Sequence, residues 1–285
     1  MSYELSAERS RQALKDHTGR LAESARAAGP DAPVPTAPDW SAADLVEHLG
    51  QTQHWVAEIL ERRVTDPTQL PTEMATMPAD PQAWPDWLGE SSGHAAAAAS
   101  DAALEAPVWN AAGDERTGGQ FWLHSLLNEA VVHGFDAAAA AAGTAAAAAE
   151  TYAIDADVAA ELVTNHLAML TSPTWAAQRS DSAEALCGNG ETLHWHATDE
   201  TSLAASGDWF IERQPDGAKW QHRNDTADVT VSGPARSLLL ILTRRLPPTD
   251  GQSRFRHDRR QRRPGPTLGP AHGSRGRLST AHEAG

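Results

Sequence analysis

The 285-residue chain has a single cysteine, Cys187, so it cannot build an intrachain disulfide or a cysteine-rich zinc centre. Any metal must be held by histidine and carboxylate. A cationic surplus is also lacking. With 23 Lys and Arg against 38 Asp and Glu, the formal net charge is −15, the wrong sign for a general binder of nucleic-acid phosphates. No stretch approaches the roughly 20 apolar residues of a membrane span. The N-terminal MSYELSAERSRQALKDHTGR is charged throughout and has no apolar signal core. Together with the scarcity of cysteine, these absences lead us to expect a soluble, cytoplasmic protein that engages neither nucleic acid nor membrane. At roughly 150 residues per domain the length allows about two domains, each able to bury its own core.

The first of these is helical. Four segments, at about 4–28, from Ser41, at about 82–104 and at about 118–142, are separated by Pro-rich or Gly-rich breaks. The prolines of DAPVPTAPDW predict an extended linker after Gly29-Pro30. Ser41-Ala42-Ala43-Asp44 reads as a capping box with Asp in the usual Glu position, followed by apolar residues at Leu45, Leu49, Val56 and Leu60. Gly143 is a favourable cap for the fourth helix. Such helices suggest a bundle over residues 1–150.

From 151 to 248 the text changes to one helix at about 155–170 and then short alternating segments, ETLHWHA, DWFIER and DVTVS, with a turn at Gln214-Pro215-Asp216-Gly217. ARSLLLILTRRL is apolar enough for a helix packed on the resulting sheet. This half is therefore expected to be α+β. Residues 251–285 carry eight Arg against only Asp258 and Glu283, with many Gly and Pro, and 249–285 reads as a disordered tail. With suitable codons, HDRRQRRPGPT read one nucleotide later becomes TTVVNAVLDQ, which alternates and then turns apolar. A frameshifted C-terminus is one expectation for this segment.

The residues with chemistry lie on the apolar stripes of the helical half. Glu129 and His133 are four apart on the fourth helix and point the same way, and Asp136 follows on the same stripe. His48 sits beside Leu49 on the stripe of the second helix. Ionisable groups on buried faces are costly unless partnered. A divalent cation held by two imidazoles and a carboxylate would resolve the cost, and three protein ligands leave a coordination position open, as in catalytic zinc sites. An ordinary salt bridge or hydrogen-bonded pair between Glu129 and His133 is the competing reading. His194 and His196 share a strand face and are expected to be exposed, without a third ligand. His54, His94 and His124 fall off the stripe and read as surface residues. Cys187 reads as an inert thiol in a loop.

At this point the sequence resembles a known family. Trp40-Ser41-Ala42-Ala43-Asp44-Leu45-Val46-Glu47-His48-Leu49 and HSLLNEAVVHGFDAAAAAAG (124–143) are similar to segments of the mycothiol-dependent maleylpyruvate isomerase family, within the DinB-like metal-binding four-helix bundles. GNGETLHWHATD, GDWFIER and ADVTVSGPARSLLLILTRRLP resemble its smaller domain. At Gly134 the chain departs from relatives that carry a bulky basic or polar residue.

The resemblance implies an α+β multidomain protein, a DinB-like four-helix bundle followed by a small α+β domain. It also implies His48, Glu129 and His133 as ligands of a divalent metal, expected to be zinc, and mycothiol as thiol cofactor. Metal coordination keeps a thiol deprotonated at neutral pH. The thiolate then adds to an activated cis double bond and is eliminated after rotation, or is transferred to another small electrophile. An arginine late in the smaller domain binds substrate carboxylate in such isomerases, and Arg244 and Arg245 lie in the matching region, where guanidinium suits bidentate binding. The expected substrate is a small-molecule electrophile or unsaturated acid. Two other expectations stand beside this one: a non-catalytic metal-binding regulatory or interaction protein, and a hydrolase using metal-bound water.

Overall fold

The structure is a computed structural model and describes residues 5–178, 183–199, 203–248 and 254–257. Helix α1 (Ala7–Ala28) begins where the Ser6 side chain accepts from the Arg9 amide, and it buries Leu14, Leu21 and Ala25. Helix α2 (Ala42–Arg62) starts at Ser41 with the capping box complete, Ser41 accepting from the Asp44 amide and Asp44 from that of Ser41. Each reciprocal bond satisfies an amide that the helix itself cannot. Helix α3 covers Trp84–Ala98. The segment predicted as one helix to 104 is broken, because Ser100 caps a separate short helix α4 (Asp101–Leu104) through the Ala103 amide. Helix α5 (Gly118–Ala142) is bounded by a Thr117–Gln120 capping box and by Gly143 at φ 77°. Helix α1 packs on α5 and α3, and α2 on α3 and α5.

The linker between α1 and α2 differs from the extended segment expected. Strands β1 (Pro33–Val34) and β2 (Ala37–Ser41) pair antiparallel as a small ribbon, and β1 lies against α5. Both are edge strands, and the register shifts between Pro33 and Val34, the setting in which sheets tolerate proline.

Beyond α5 come α6 (Ala145–Thr151), α7 (Ala156–Leu170) and α8 (Pro173–Gln178). The sheet strands are β3 (Thr192–Ala197), β4 (Asp208–Gln214), β5 (Gly217–Gln221), β6 (Val229–Gly233) and β7 (Arg254–His257). Their order is β5-β4-β3-β6-β7, with β3 and β6 parallel and the other neighbours antiparallel. Trp195 faces Trp209 across β3 and β4 in register, and both are buried with Val231. Helix α9 (Ala235–Leu242) packs on β3, β6 and α7, and Trp209 Nε1 donates to Thr164 on α7 at 2.9 Å. Each such buried large apolar side chain contributes roughly 1.5–3 kcal/mol toward holding the sheet against α7 and α9. Most of the segment expected to be a tail lies outside the described residues, and so does the frameshift reading. The four residues described there pair with β6. Among the described residues no helix is long and apolar enough to cross a membrane.

Candidate metal centre and adjoining cavity

Helices α2 and α5 bring His48, Glu129 and His133 together. His48 Nε2 lies 3.0 Å and His133 Nε2 3.1 Å from the same oxygen, Glu129 Oε2. One ligand atom from each residue falls within 4.8 Å of the others, a set that could hold a metal ion. The competing reading, a pair confined to Glu129 and His133, leaves out the third member that the structure supplies from another helix. Two imidazole nitrogens and a carboxylate oxygen are the donor set of open zinc sites, so the residues present fit such an ion.

Behind the three ligand atoms is a chain of oriented partners. His133 Nδ1 is 2.9 Å from Asp136 Oδ2. Asp136 is fully buried and is gripped by Arg245, whose Nε and Nη2 reach its two oxygens at 3.0 and 2.8 Å. Thr36, in the ribbon between β1 and β2, donates to Asp136 Oδ1 at 2.6 Å. Trp40 on β2 completes the wall, stacked on His133 at 5.7 Å and edge-on to His48 at 5.2 Å. The linker that was expected only to space two helices is thus part of the site.

The electrostatics follow from these contacts. Burial pushes the Glu129 carboxyl up, but the hydrogen bonds from His133 and His48 outweigh it and hold the group at about 2. Burial lowers the His133 pKa, yet the bonds to Asp136 and Glu129 raise it to about 9. Asp136 is held below the usual carboxylate range, its burial being outweighed by His133 and Arg245. The ring of His133 therefore donates from both nitrogens when no ion is bound. The bond to Asp136 fixes Nδ1–H and leaves Nε2 as the atom an ion would take.

Next to the site is a cavity of about 880 Å³ whose lining includes Glu129, His133, His166, Arg244 and Arg245. Much of the remaining lining is apolar, including Phe121, Val132, Met169 and Leu242. Arg244 sits in the left-handed region at φ 62°, where it ends α9 and turns the following Arg245 amide back onto Leu240 O. The two adjacent arginines, expected alike to bind carboxylate, consequently differ. Arg245 is committed to Asp136, whereas Arg244 is exposed and lines the cavity. His166 and Asn128 in the same lining were not singled out by the sequence. Burial, with the Arg245 charge, lowers the His166 pKa. Asn128 Oδ1 is buried without a hydrogen-bond partner among the described residues.

Other expectations change. Gly134 faces away from His48, Glu129 and His133: a Cβ there would meet the Tyr152 hydroxyl at 2.1 Å, and that hydroxyl is 2.8 Å from His17 Nδ1. His124 is off the site as expected, but is half-buried beside Glu161 rather than on the surface. His94 is exposed and paired with Glu61, and His54 is half-buried. Cys187 is half-buried. His194 and His196 are not an exposed pair, since His194 is buried and both rings reach Asp208, the third group the sequence did not reveal.

Residues 11–138 match the family model described as the mycothiol maleylpyruvate isomerase N-terminal domain, and 157–280 match the corresponding C-terminal domain model. Crystal structures of the mycothiol-dependent maleylpyruvate isomerase and of a single-residue mutant of it are similar, with TM-scores of 0.53 and 0.52. Each is 14% identical, over 88% of this chain and 93% of that one. At such identity the likeness concerns the fold. No curated protein matches the sequence.

Proposed function

The chain belongs to the mycothiol maleylpyruvate isomerase family, and from that membership we propose that it is a metal-dependent, mycothiol-dependent enzyme acting on a small electrophile by cis–trans isomerisation or S-transfer. The observation that carries this reading is the convergence of His48 Nε2 and His133 Nε2 on Glu129 Oε2 beside a cavity large enough for two small molecules. His48, Glu129 and His133 would hold a divalent metal, with zinc the ion best suited to the donor set. When bound, such a cation lowers the pKa of a coordinated thiol and supplies a thiolate nucleophile at neutral pH.

The chain's own residues do the rest. Asp136 holds the His133 ring in one orientation and one tautomer, and Arg245 and Thr36 hold Asp136. Because Arg245 follows α9 while Asp136 lies on α5, this ion pair also fixes the small domain against the helical one. Arg245 is therefore a positioning residue. Arg244, exposed in the cavity lining, is the cation available to a substrate carboxylate. Trp40 packs on the rings of His48 and His133 and, with the apolar cavity lining, would shield a thiol bound there from part of the solvent.

The test is to strip the protein with a chelator, reload it with zinc, and follow consumption of a maleyl-type cis-unsaturated acid and of a simple alkylating electrophile with and without mycothiol. Turnover requiring both zinc and thiol, and lost in His48→Ala, is the expected result. Zinc-dependent turnover indifferent to thiol would support the hydrolase reading. Stoichiometric zinc binding without thiol binding or turnover would support a non-catalytic metal-binding protein.

A further inference from the structure

We propose that the small domain carries a second divalent transition-metal site, formed by His194, His196 and Asp208 and separate from the helical centre. Side chains alternate along a strand, so His194 and His196 share one face of β3, with Trp195 between them on the other. The antiparallel register sets Asp208, the first residue of β4, directly opposite His196. Trp195, Trp209 and Val231 are buried on the sheet's other face, and Phe210, opposite His194, is the buried apolar neighbour on the histidine face.

Two rings so spaced on a strand do not meet at a point by default. Here they do, because His194 uses Nε2 and His196 uses Nδ1. Each nitrogen lies 2.8 Å from one and the same oxygen, Asp208 Oδ1, with the rings tilted by 48°. Ligand atoms from all three residues lie within 4.8 Å of one another. This is the same convergence, two imidazole nitrogens on one carboxylate oxygen, seen at Glu129.

The chemistry and burial both suit a cation. A nitrogen-rich set with one carboxylate selects zinc and neighbouring late divalent ions over magnesium or calcium, which prefer oxygen. His194 is 5% and Asp208 6% exposed, so water contributes little to balancing the carboxylate. A divalent ion at the centre would balance it. The frame is fixed, since His222 Nδ1 donates to the Asp208 carbonyl at 3.0 Å. None of the three residues lines the large cavity. The site would accordingly staple β3 to β4 rather than meet substrate.

Metal counting on the full-length protein tests this independently of the helical site. After chelator treatment and reloading with zinc, wild-type protein is expected to bind two ions per chain. His133→Ala and His196→Gln should each bind one, and the double variant none. Zinc should also raise the melting temperature of His133→Ala but not of the double variant. If His196→Gln fails to fold, His133→Ala alone decides: one ion with a thermal shift supports the sheet site, and no ion overturns it. Loading that His196→Gln leaves unchanged in folded protein would overturn it as well. If His133→Ala leaves the count unchanged while His196→Gln lowers it, the helical assignment fails and the sheet site stands.

Discussion

In the helical domain two imidazoles approach Glu129 Oε2 at 3.0 and 3.1 Å, and in the sheet two approach Asp208 Oδ1 at 2.8 Å each, but the surroundings of the two clusters differ. Side-chain exposure in the first is 36% for His48, 31% for Glu129 and 15% for His133; in the second it is 6% for His194, 9% for Asp208 and 21% for His196. Only the first borders the cavity. The donor sets are of one type, so they cannot by themselves decide between chemistry and architecture. Access decides it. An ion at Glu129 would have an adjoining space for an exogenous ligand, whereas one at Asp208 would join two strands.

The sharpest way to separate the clusters is to remove the shared acceptor of the first. Glu129→Ala is expected to lower thiol-dependent kcat/KM by roughly a thousandfold, equivalent to about 4 kcal/mol of transition-state stabilisation, while the protein keeps zinc in the sheet. Steady-state kinetics beside metal counting would show it. Retained turnover would mean that the more open cluster is not the reactive one.

An acid titration contrasts clustered with solitary imidazoles. Burial, assisted by the Arg20 charge, lowers the His17 pKa to about 4 from 6.5. Between those values the unfolded chain binds a proton that the native state does not, so stability is full above about pH 6.5 and falls as the pH drops toward 4. The loss expected from this group is about 3 kcal/mol by pH 4. Urea unfolding of wild type and His17→Gln across that range measures it; parallel slopes for the two proteins would contradict the assignment.

How much of this was legible beforehand depended on how local the cause was. The caps at Ser41 and Gly143 and the stripe holding Glu129 and His133 are written within a few residues, and they appear where the spacing put them. His48 was legible as a polar residue on an apolar stripe. Asp208 was not, because its role exists only through the strand register that sets it opposite His196. Trp40 and Thr36 were hidden for a similar reason: the prolines around them suggested a spacer, and only packing of the ribbon on α5 brings them to the site. The division of labour between Arg244 and Arg245 rests on one left-handed residue at the end of α9, which helical periodicity does not foresee.

A subtler contrast tests the support behind His133. Asp136→Asn keeps the size but removes the charge that both Arg245 and the imidazole use. Metal affinity at the helical site is expected to fall about 10–100-fold, with the sheet site unaffected, as isothermal titration of each site in the absence of the other can measure. Equal affinities would show that His133 needs no orienting partner.

The smallest effect concerns Gly134. Gly134→Ala forces a methyl against the Tyr152 hydroxyl and should cost about 1–3 kcal/mol in thermal or urea unfolding. Zinc affinity should hold, because the clash lies on the side of the helix away from the ligands. A change in metal affinity without loss of stability would place Gly134 in the site after all.

The most direct measurement is anomalous diffraction at the zinc edge from crystals of zinc-loaded protein soaked with mycothiol. The expected map has a peak about 2.0–2.2 Å from His48 Nε2, His133 Nε2 and a Glu129 oxygen, with a sulfur about 2.3 Å away. A map without a peak between α2 and α5, or one whose ion is ligated there by other side chains, would contradict the proposed centre.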